Sequence, residues 1–269
     1  MISFPNAKIN LGLSITGKLH TGYHSIESGL YPIPWCDVLE FVPGKKISFS
    51  SSGISILGDD KDNLVSKAYK LFRKDFALPE LNIHLHKIIP MGAGLGGGSA
   101  DASFMLKMLS NEFQLFLDDS VLEEYAAELG SDCPFFIQNK PAIATGTGTD
   151  IATIDLDLTG LWLVLIKPDI HISTQEAYAN VSSKPSSVDL KTLLEGKNFE
   201  AWRNELVNDF EASIFTNHPQ LAEIKEEFYK SGAVYAAMSG SGSAMFGLFD
   251  QKPSDLNGAL KDSTKVLQL

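Results

Sequence analysis

Residues 90–100 read Pro-Met-Gly-Ala-Gly-Leu-Gly-Gly-Gly-Ser-Ala, and no other segment says so much about the local fold. Glycine loses more conformational freedom on folding than any other residue, so a run this dense suits a backbone that must take positive φ or approach something closely. Residues 81–89 upstream carry the apolar pattern of a strand, and residues 99–109 downstream, rich in Ala, Met and Leu, read as a helix. A strand that enters a glycine loop and leaves as a helix gathers backbone N–H groups and the positive end of a helix dipole at one place. That arrangement cradles an anion, most often phosphate. The plainer reading is a tight strand-to-helix turn without a ligand.

Two nucleotide patterns nearly match. Gly92, Gly94 and Gly97 satisfy G-x-G-x-x-G, but the dinucleotide fingerprint also needs a second strand with an acidic residue about 20 residues on. Here Asn111-Glu112-Phe113 leads into a second helix instead. Gly92, Gly97 and Ser99 fit G-x-x-x-x-G-K-[ST], but Gly98 stands at the lysine position. The loop therefore carries no lysine of its own. The chain as a whole has a net charge of −11 and no Lys/Arg cluster, which disfavours nucleic acid as a partner. An anionic ligand has to be held by local amides, a helix N-terminus and one or two placed lysines.

Residues 7–15 alternate, with Ala7, Ile9, Leu11, Leu13 and Ile15 on one face and Lys8, Asn10, Gly12 and Ser14 on the other. The pattern predicts a half-buried strand with a polar face. A loop at 17–22 follows, then strands at 37–42 and 46–50, and a helix over 64–72 opened by Asp62-Asn63. A helix over 120–129 stops at Gly130, the usual residue for that place. Ser131-Asp132-Cys133-Pro134 opens the next element, and Asp132 could cap it. Further on, the pattern predicts a strand at 161–166, a helix over 173–181 capped by Ser173 or Thr174, a polar loop at 182–187, and helices over 199–210 and 219–230. Strands at 234–238 and 244–249 flank a second glycine-serine turn at 239–243, and a tail helix is expected near 256–261. There are no internal repeats. The mixture predicts an α+β chain of two domains divided near residue 150. Cys36 and Cys133 read as free thiols. Neither a secretory leader nor an apolar run of the ~20 residues needed to span a membrane is visible, so a cytoplasmic protein is expected.

The run at 90–100 resembles the phosphate-binding motif of the GHMP kinase superfamily. Three other segments resemble the 4-diphosphocytidyl-2-C-methyl-D-erythritol kinases within it: Pro5-Asn6-Ala7-Lys8-Ile9-Asn10-Leu11, Gly22-Tyr23-His24, and Leu129-Gly130-Ser131-Asp132-Cys133-Pro134-Phe135-Phe136. The turn at 239–243 resembles the third motif of the superfamily, and the resemblance runs through almost the whole chain in the expected order. It implies an α+β GHMP kinase fold. Residues 1–150 would form an ATP-binding and catalytic domain like ribosomal protein S5 domain 2, and residues 151–269 a ferredoxin-like domain. It also implies phosphorylation by ATP, with Mg²⁺, of the 2-hydroxyl of a cytidine-diphosphate-linked methylerythritol, on the non-mevalonate route to isoprenoid precursors. No nucleic acid or membrane partner is implied, and the expected state is a monomer or weak homodimer. The chain departs from common members at Ala93, Ala100 and Ser239, small-for-small changes that bear on ATP affinity rather than on the reaction.

Carried over residue by residue, the resemblance makes Asp132 the general base and Lys8 its partner, with Asn10 orienting the substrate. ATP would be held by Pro90, Met91, Gly92, Ala93, Gly94, Leu95, Gly96, Gly97, Gly98, Ser99 and Ala100. Ser99 would meet phosphate or Mg²⁺, unless it is an ordinary N-cap. Asn63 and Lys87 would line the adenosine side, and Gly240, Ser241 and Gly242 would close over phosphates and substrate. Tyr23, His24 and Tyr178 would receive the cytosine, by stacking and by a hydrogen bond from His24; alternatively the tyrosines are core aromatics. His84 and His86 alternate on one strand like half of a metal site without a third ligand, so a solvated strand face is expected there. A homoserine- or mevalonate-type kinase would share the loop, but the Tyr-His pair and the Lys8/Asn10 strand disfavour it. A non-catalytic nucleotide sensor would be expected to lack Lys8 or Asp132.

Overall fold

The computed structural model describes residues 1–20, 22–56, 62–179, 181, 183, 188–254, 256, 260 and 264–269. In chain order the strands are β1 (Ile2–Ser3), β2 (Asn6–Lys18), β3 (His24–Cys36), β4 (Val38–Pro43), β5 (Ser48–Gly53), β6 (Leu81–Lys87), β7 (Ala142–Thr145), β8 (Asp150–Thr153), β9 (Trp162–Ile166), β10 (Tyr235–Met238), β11 (Met245–Phe249) and β12 (Thr264–Gln268). The helices are α1 (Leu64–Asp75), α2 (Gly97–Glu112), α3 (Asp119–Leu129), α4 (Phe135–Gln138), α5 (Thr174–Ala179), α6 (Leu190–Glu195), α7 (Phe199–Glu205), α8 (Phe210–Asn217) and α9 (Pro219–Lys230).

The chain forms two compact units. The first takes residues 1–8, 35–91 and 96–140; the second takes 9–34, 92–95 and 141–269. The units thus follow a different course from the single division near residue 150, because the chain changes unit within β2, within β3 and on both sides of residues 92–95.

In the first unit a sheet of order β1-β4-β6-β5 has β4 antiparallel to β1 and β6, and β5 parallel to β6. Strand β6 alternates strictly: Leu81, Ile83, Leu85 and Lys87 are buried, and Asn82 and His86 are exposed. Its apolar side joins Leu39 and Phe41 of β4, Val65, Tyr69 and Phe72 of α1, and Met105, Leu106 and Leu109 of α2 in one core. Burying each such side chain is worth about 1.5–3 kcal/mol. Helix α1 starts where the sequence predicts, with the Asn63 side chain accepting the Val65 N–H at 2.9 Å. It runs on to Asp75, with Arg73 and Lys74 at its negative end. Helix α3 also ends as expected, but Gly130 there has φ 169°, extended backbone open to any residue.

The second unit holds two sheets, of order β10-β11-β9-β12 and β2-β3-β7-β8. Phe210, Ile214, Leu221, Ile224 and Phe228 of α8 and α9 pack on Val164, Ile166, Ala236 and Met238. Strand β2 corrects the expectation of a half-buried strand. Both faces are covered, so that Lys8 and Asn10 are 2% and 5% exposed. Gly12, at φ +70°, marks a distortion in the middle of the strand.

Strand β3 was not legible, since Pro32 and Pro34 argue against a strand. The β7 ladder, which among the described residues pairs with Ser28, Gly29 and Leu30, stops short of both prolines. The helix expected over 199–210 is interrupted. Leu13 N–H donates to the Val207 carbonyl at 2.9 Å and Asp209 N–H to the Leu13 carbonyl at 2.8 Å, so residues 206–209 pair with β2 instead of continuing the helix. The polar loop at 182–187 and the tail helix near 256–261 lie largely outside the described residues. Strand β12, which the sequence reading missed, pairs with β9.

Candidate active site

In the first unit Lys8 is almost wholly enclosed and places its Nζ 3.5 Å from Oδ2 of Asp132, whose side chain is 42% exposed. Asp132 lies in the turn that precedes α4, and no side chain caps that helix, so Asp132 is not its N-cap. The surrounding backbone is held from two sides. Asn6 and Asn139 exchange side-chain amide hydrogen bonds at 3.2 and 2.7 Å, joining the start of β2 to the end of α4. Ser103 Oγ lies 2.7 Å from the Cys133 carbonyl and 2.9 Å from that of Ser99, tying the turn to α2. Cys133 is fully buried, and desolvation leads in pushing its thiol up to about 11, which leaves it a small apolar filler.

Gly96, at φ +68°, is the N-cap of α2, and no side chain caps the helix. Ser99 is therefore a residue of the first turn rather than the cap. The first-turn N–H groups are left to whatever the loop receives. A Cβ on Gly96 would stand 3.1 Å from Lys8 Cε and 2.9 Å from Phe136 Cζ, so the glycine is what allows the loop to lie against the lysine.

Lys87, expected to line the adenosine side, is engaged inside the protein. It is 1% exposed, with Nζ 2.5 Å from Asp37 Oδ2 and 2.7 Å from Asp101 Oδ2. The other Asp37 oxygen accepts the N–H groups of Ile88 and Ile89 at 2.5 and 2.8 Å, at the point where the strand gives way to the loop. A Cβ on Gly97 would lie 3.0 Å from Lys87 Nζ. The lysine is thus consumed by two carboxylates beneath the start of α2. Burial raises the Asp101 carboxyl to about 7, with Lys87 opposing and Asp37 adding to the rise, and among the described residues Asp101 Oδ1 has no hydrogen-bond partner. Asn63 is occupied as the cap of α1.

In the second unit the first glycines meet the second glycine-serine turn. Gly92 and Gly94 have φ of +61° and +77°, and a Cβ on Gly94 would fall 1.9 Å from the Ser239 carbonyl oxygen. Ser239 Oγ, fully buried, donates to the Gly94 carbonyl at 2.8 Å and accepts the Asn10 N–H at 3.2 Å. Ala244 N–H donates to the Ala93 carbonyl at 3.1 Å. Asn10 donates from Nδ2 to Ser28 Oγ at 2.8 Å, and a Cβ on Gly240 would lie 3.2 Å from its Oδ1. Asn208 Nδ2 donates to the carbonyls of Met238 and Gly240 at 2.9 and 2.8 Å, which fixes the turn containing Ser241 and Gly242.

His24 and Tyr178 stack with ring centroids 4.9 Å apart and planes at 20°. Tyr178 also meets Phe210 edge-on at 4.8 Å and packs partly on the core. Tyr23 is 70% exposed, which excludes it from the core. His84 and His86 hydrogen-bond Ser50 and Ser52 of β5 at 2.8–2.9 Å. Among the described residues no cluster of three or more His, Cys, Asp or Glu side chains could hold a metal ion, and no helix is long and apolar enough to cross a membrane.

Sequence reasoning missed Asp37, Asp101, Ser103 and Asn208. Asn208 had a signal, since asparagine is disfavoured inside helices and often marks their ends.

Residues 63–140 match the model of the GHMP kinases N terminal domain, and residues 190–260 that of the GHMP kinases C terminal. A Bacteroides fragilis 4-diphosphocytidyl-2-C-methyl-D-erythritol kinase is 51% identical over 253 residues, 93% of this chain and 92% of that protein. A Cytophaga hutchinsonii protein of the same name is 48% identical over 258 residues, 94% of each chain. Among solved structures, a 4-(cytidine 5'-diphospho)-2C-methyl-D-erythritol kinase superposes with a TM-score of 0.79 at 30% identity, over 92% of this chain and 90% of that one. Homoserine kinase from Cytophaga hutchinsonii gives 0.71 at 15% identity over 98% and 94%, a likeness of fold.

Proposed function

The chain belongs to the 4-diphosphocytidyl-2-C-methyl-D-erythritol kinase family, and on that premise we propose that it transfers the γ-phosphoryl group of ATP to the 2-hydroxyl of that cytidine compound, giving the 2-phosphate and ADP. The observation that carries the residue assignment is the Lys8–Asp132 pair, an enclosed ammonium 3.5 Å from a half-exposed carboxylate. Asp132 takes the proton of the acceptor hydroxyl as its oxygen bonds to the γ-phosphorus and the bond to the bridging oxygen of ADP breaks. Lys8 stabilises the negative charge that grows on the attacking oxygen. Residues 96–98 offer the first-turn N–H groups of α2 to the phosphates, and Ser99 adds a hydroxyl.

Mg²⁺ accompanies ATP in this reading and neutralises phosphate charge. The donor set fits an ion that keeps its phosphates and waters rather than one caged by protein. Asn10 orients the substrate, and the turn at 240–242 closes over phosphates and substrate. The proposed setting is the cytoplasm, as a monomer or weak homodimer. ATP consumption measured against a panel of alcohols, with and without the cytidine diphosphate group, tests the substrate. Turnover that ignores that group would remove the reading.

Gly96→Val should weaken ATP binding by at least about tenfold, since a branched side chain at positive φ is strained and its Cβ would strike Lys8 and Phe136. Turnover should fall as well, because the clash displaces Lys8. Unchanged nucleotide affinity in a calorimetric titration would contradict the assignment.

For the base, His24 braced on Tyr178 presents a ring nitrogen that can donate to or accept from a cytosine edge. His24→Ala should raise KM for the cytidine substrate roughly five- to tenfold, the value of about one hydrogen bond. KM for ATP should not move, and the preference over the uridine analogue should narrow. An unchanged preference takes His24 out of base recognition.

A further inference from the structure

We propose that His171 is a phosphate-binding side chain, one that gives the glycine loop the cationic or donor group its own sequence lacks. The inference rests on reading residues 92–98 as a nucleotide phosphate cradle. With Gly98 at the usual lysine position and Lys87 spent on two carboxylates, that cradle draws no lysine from either place.

The segment after β9 is built onto the second unit's glycine turns. Ser243 Oγ donates to the Ile170 carbonyl at 2.5 Å, and Lys167 Nζ donates to the same oxygen at 3.4 Å. Ile172 is 3% exposed, and its Cδ1 lies 3.1 Å from where a Cβ on Gly242 would stand. Those anchors fix the backbone on either side of residue 171 and set the imidazole over Gly92. A Cβ there would meet His171 Cε1 at 3.8 Å and Nδ1 at 3.9 Å, ordinary van der Waals contact.

The ring itself is exposed, and among the described residues it has no hydrogen-bond, ion-pair or ring partner. An imidazole donates from one nitrogen when neutral and from both when protonated. It is thus an uncommitted donor beside backbone shaped for an anion. The ligand chemistry is a diphosphate oxygen, and two molecules of the reaction carry one: the adenine nucleotide and the cytidine diphosphate group.

Calorimetric titration of the full chain with ADP, and separately with CDP, distinguishes them. His171→Ala should weaken one ligand about tenfold, as expected for a hydrogen bond to a charged group, at an unchanged melting temperature. His171→Gln, which restores a donor, should recover part of the loss. Loss confined to ADP assigns the contact to ATP, and loss confined to CDP assigns it to the substrate. If Gly96→Val abolishes ADP binding while His171→Ala leaves both ligands untouched, the proposal is overturned and the loop reading stands. A wild type that binds neither ligand overturns both.

Discussion

Asp132→Asn should lower turnover by about 10²- to 10⁴-fold, the usual contribution of a positioned general base, with ATP affinity and melting temperature near those of the wild type. The amide keeps the shape of the carboxylate but accepts no proton at the acceptor hydroxyl. Stability should hold because Asp132 caps no helix and its partner lies 3.5 Å away with the carboxylate 42% exposed. Only the aspartate of the pair is solvated, and the asparagine Oδ1 still accepts from the enclosed Lys8 ammonium, so the cost should stay at about 1 kcal/mol. Lys8→Ala should be comparably impaired in turnover. Combining the two should add little, since residues that act as one unit are strongly non-additive. Steady-state rates of both single variants and the double variant, with unfolding curves as controls, decide the matter. Near-normal turnover by folded Asp132→Asn would sink the base assignment. Fully multiplicative losses would mean that the lysine and the aspartate act separately.

What was legible in the sequence was what the backbone dictates locally. The glycine run announces positive φ, which Gly92, Gly94 and Gly96 take, while Gly97 and Gly98 open α2. Asn63 announces the start of α1 because its side chain closes a hydrogen bond two residues away. What escaped was set by distant partners. Residues 206–209 are helical by propensity, yet Leu13 pairs with them across nearly 200 residues of chain. The prolines of β3 hid a strand whose pairing with β7 ends before them, at Leu30. Lys87 is the instructive case. Resemblance pointed it toward the nucleotide, while the alternation of Leu81, Ile83 and Leu85 already put residue 87 on the buried face. The pattern could show where the side chain goes. It could not show Asp37 and Asp101, 50 and 14 residues away in sequence, waiting to receive it.

Lys87→Met should destabilise the folded chain by about 3–5 kcal/mol at pH 8, the range for breaking a buried ion pair by removing one partner. Methionine fills most of the volume, so the cost is chiefly electrostatic: Asp37 and Asp101 would face each other without a cation. The cost should depend on pH in a defined direction. In the wild type the Asp101 carboxyl is raised from 3.8 to about 7, with desolvation the leading cause and the Lys87 charge acting against it. Between those values the folded state holds more protons than the unfolded state, so the contribution of Asp101 to stability falls as pH rises through that window. Removing Lys87 removes the effect that lowers the pKa and widens the window upward. Protonation then relieves the repulsion, and the deficit of the variant should be smaller at pH 5 than at pH 8. Adding Asp101→Asn to Lys87→Met should recover part of the loss at pH 8 and little at pH 5, because the amide stands in for the protonated acid. Urea unfolding of the wild type and both variants at the two pH values measures each quantity. A deficit under about 1 kcal/mol at pH 8 would mean that the cluster does not carry the cost expected of a buried pair. A deficit that grows as pH falls would reverse the sign required of two carboxylates sharing one ammonium beneath the glycine loop.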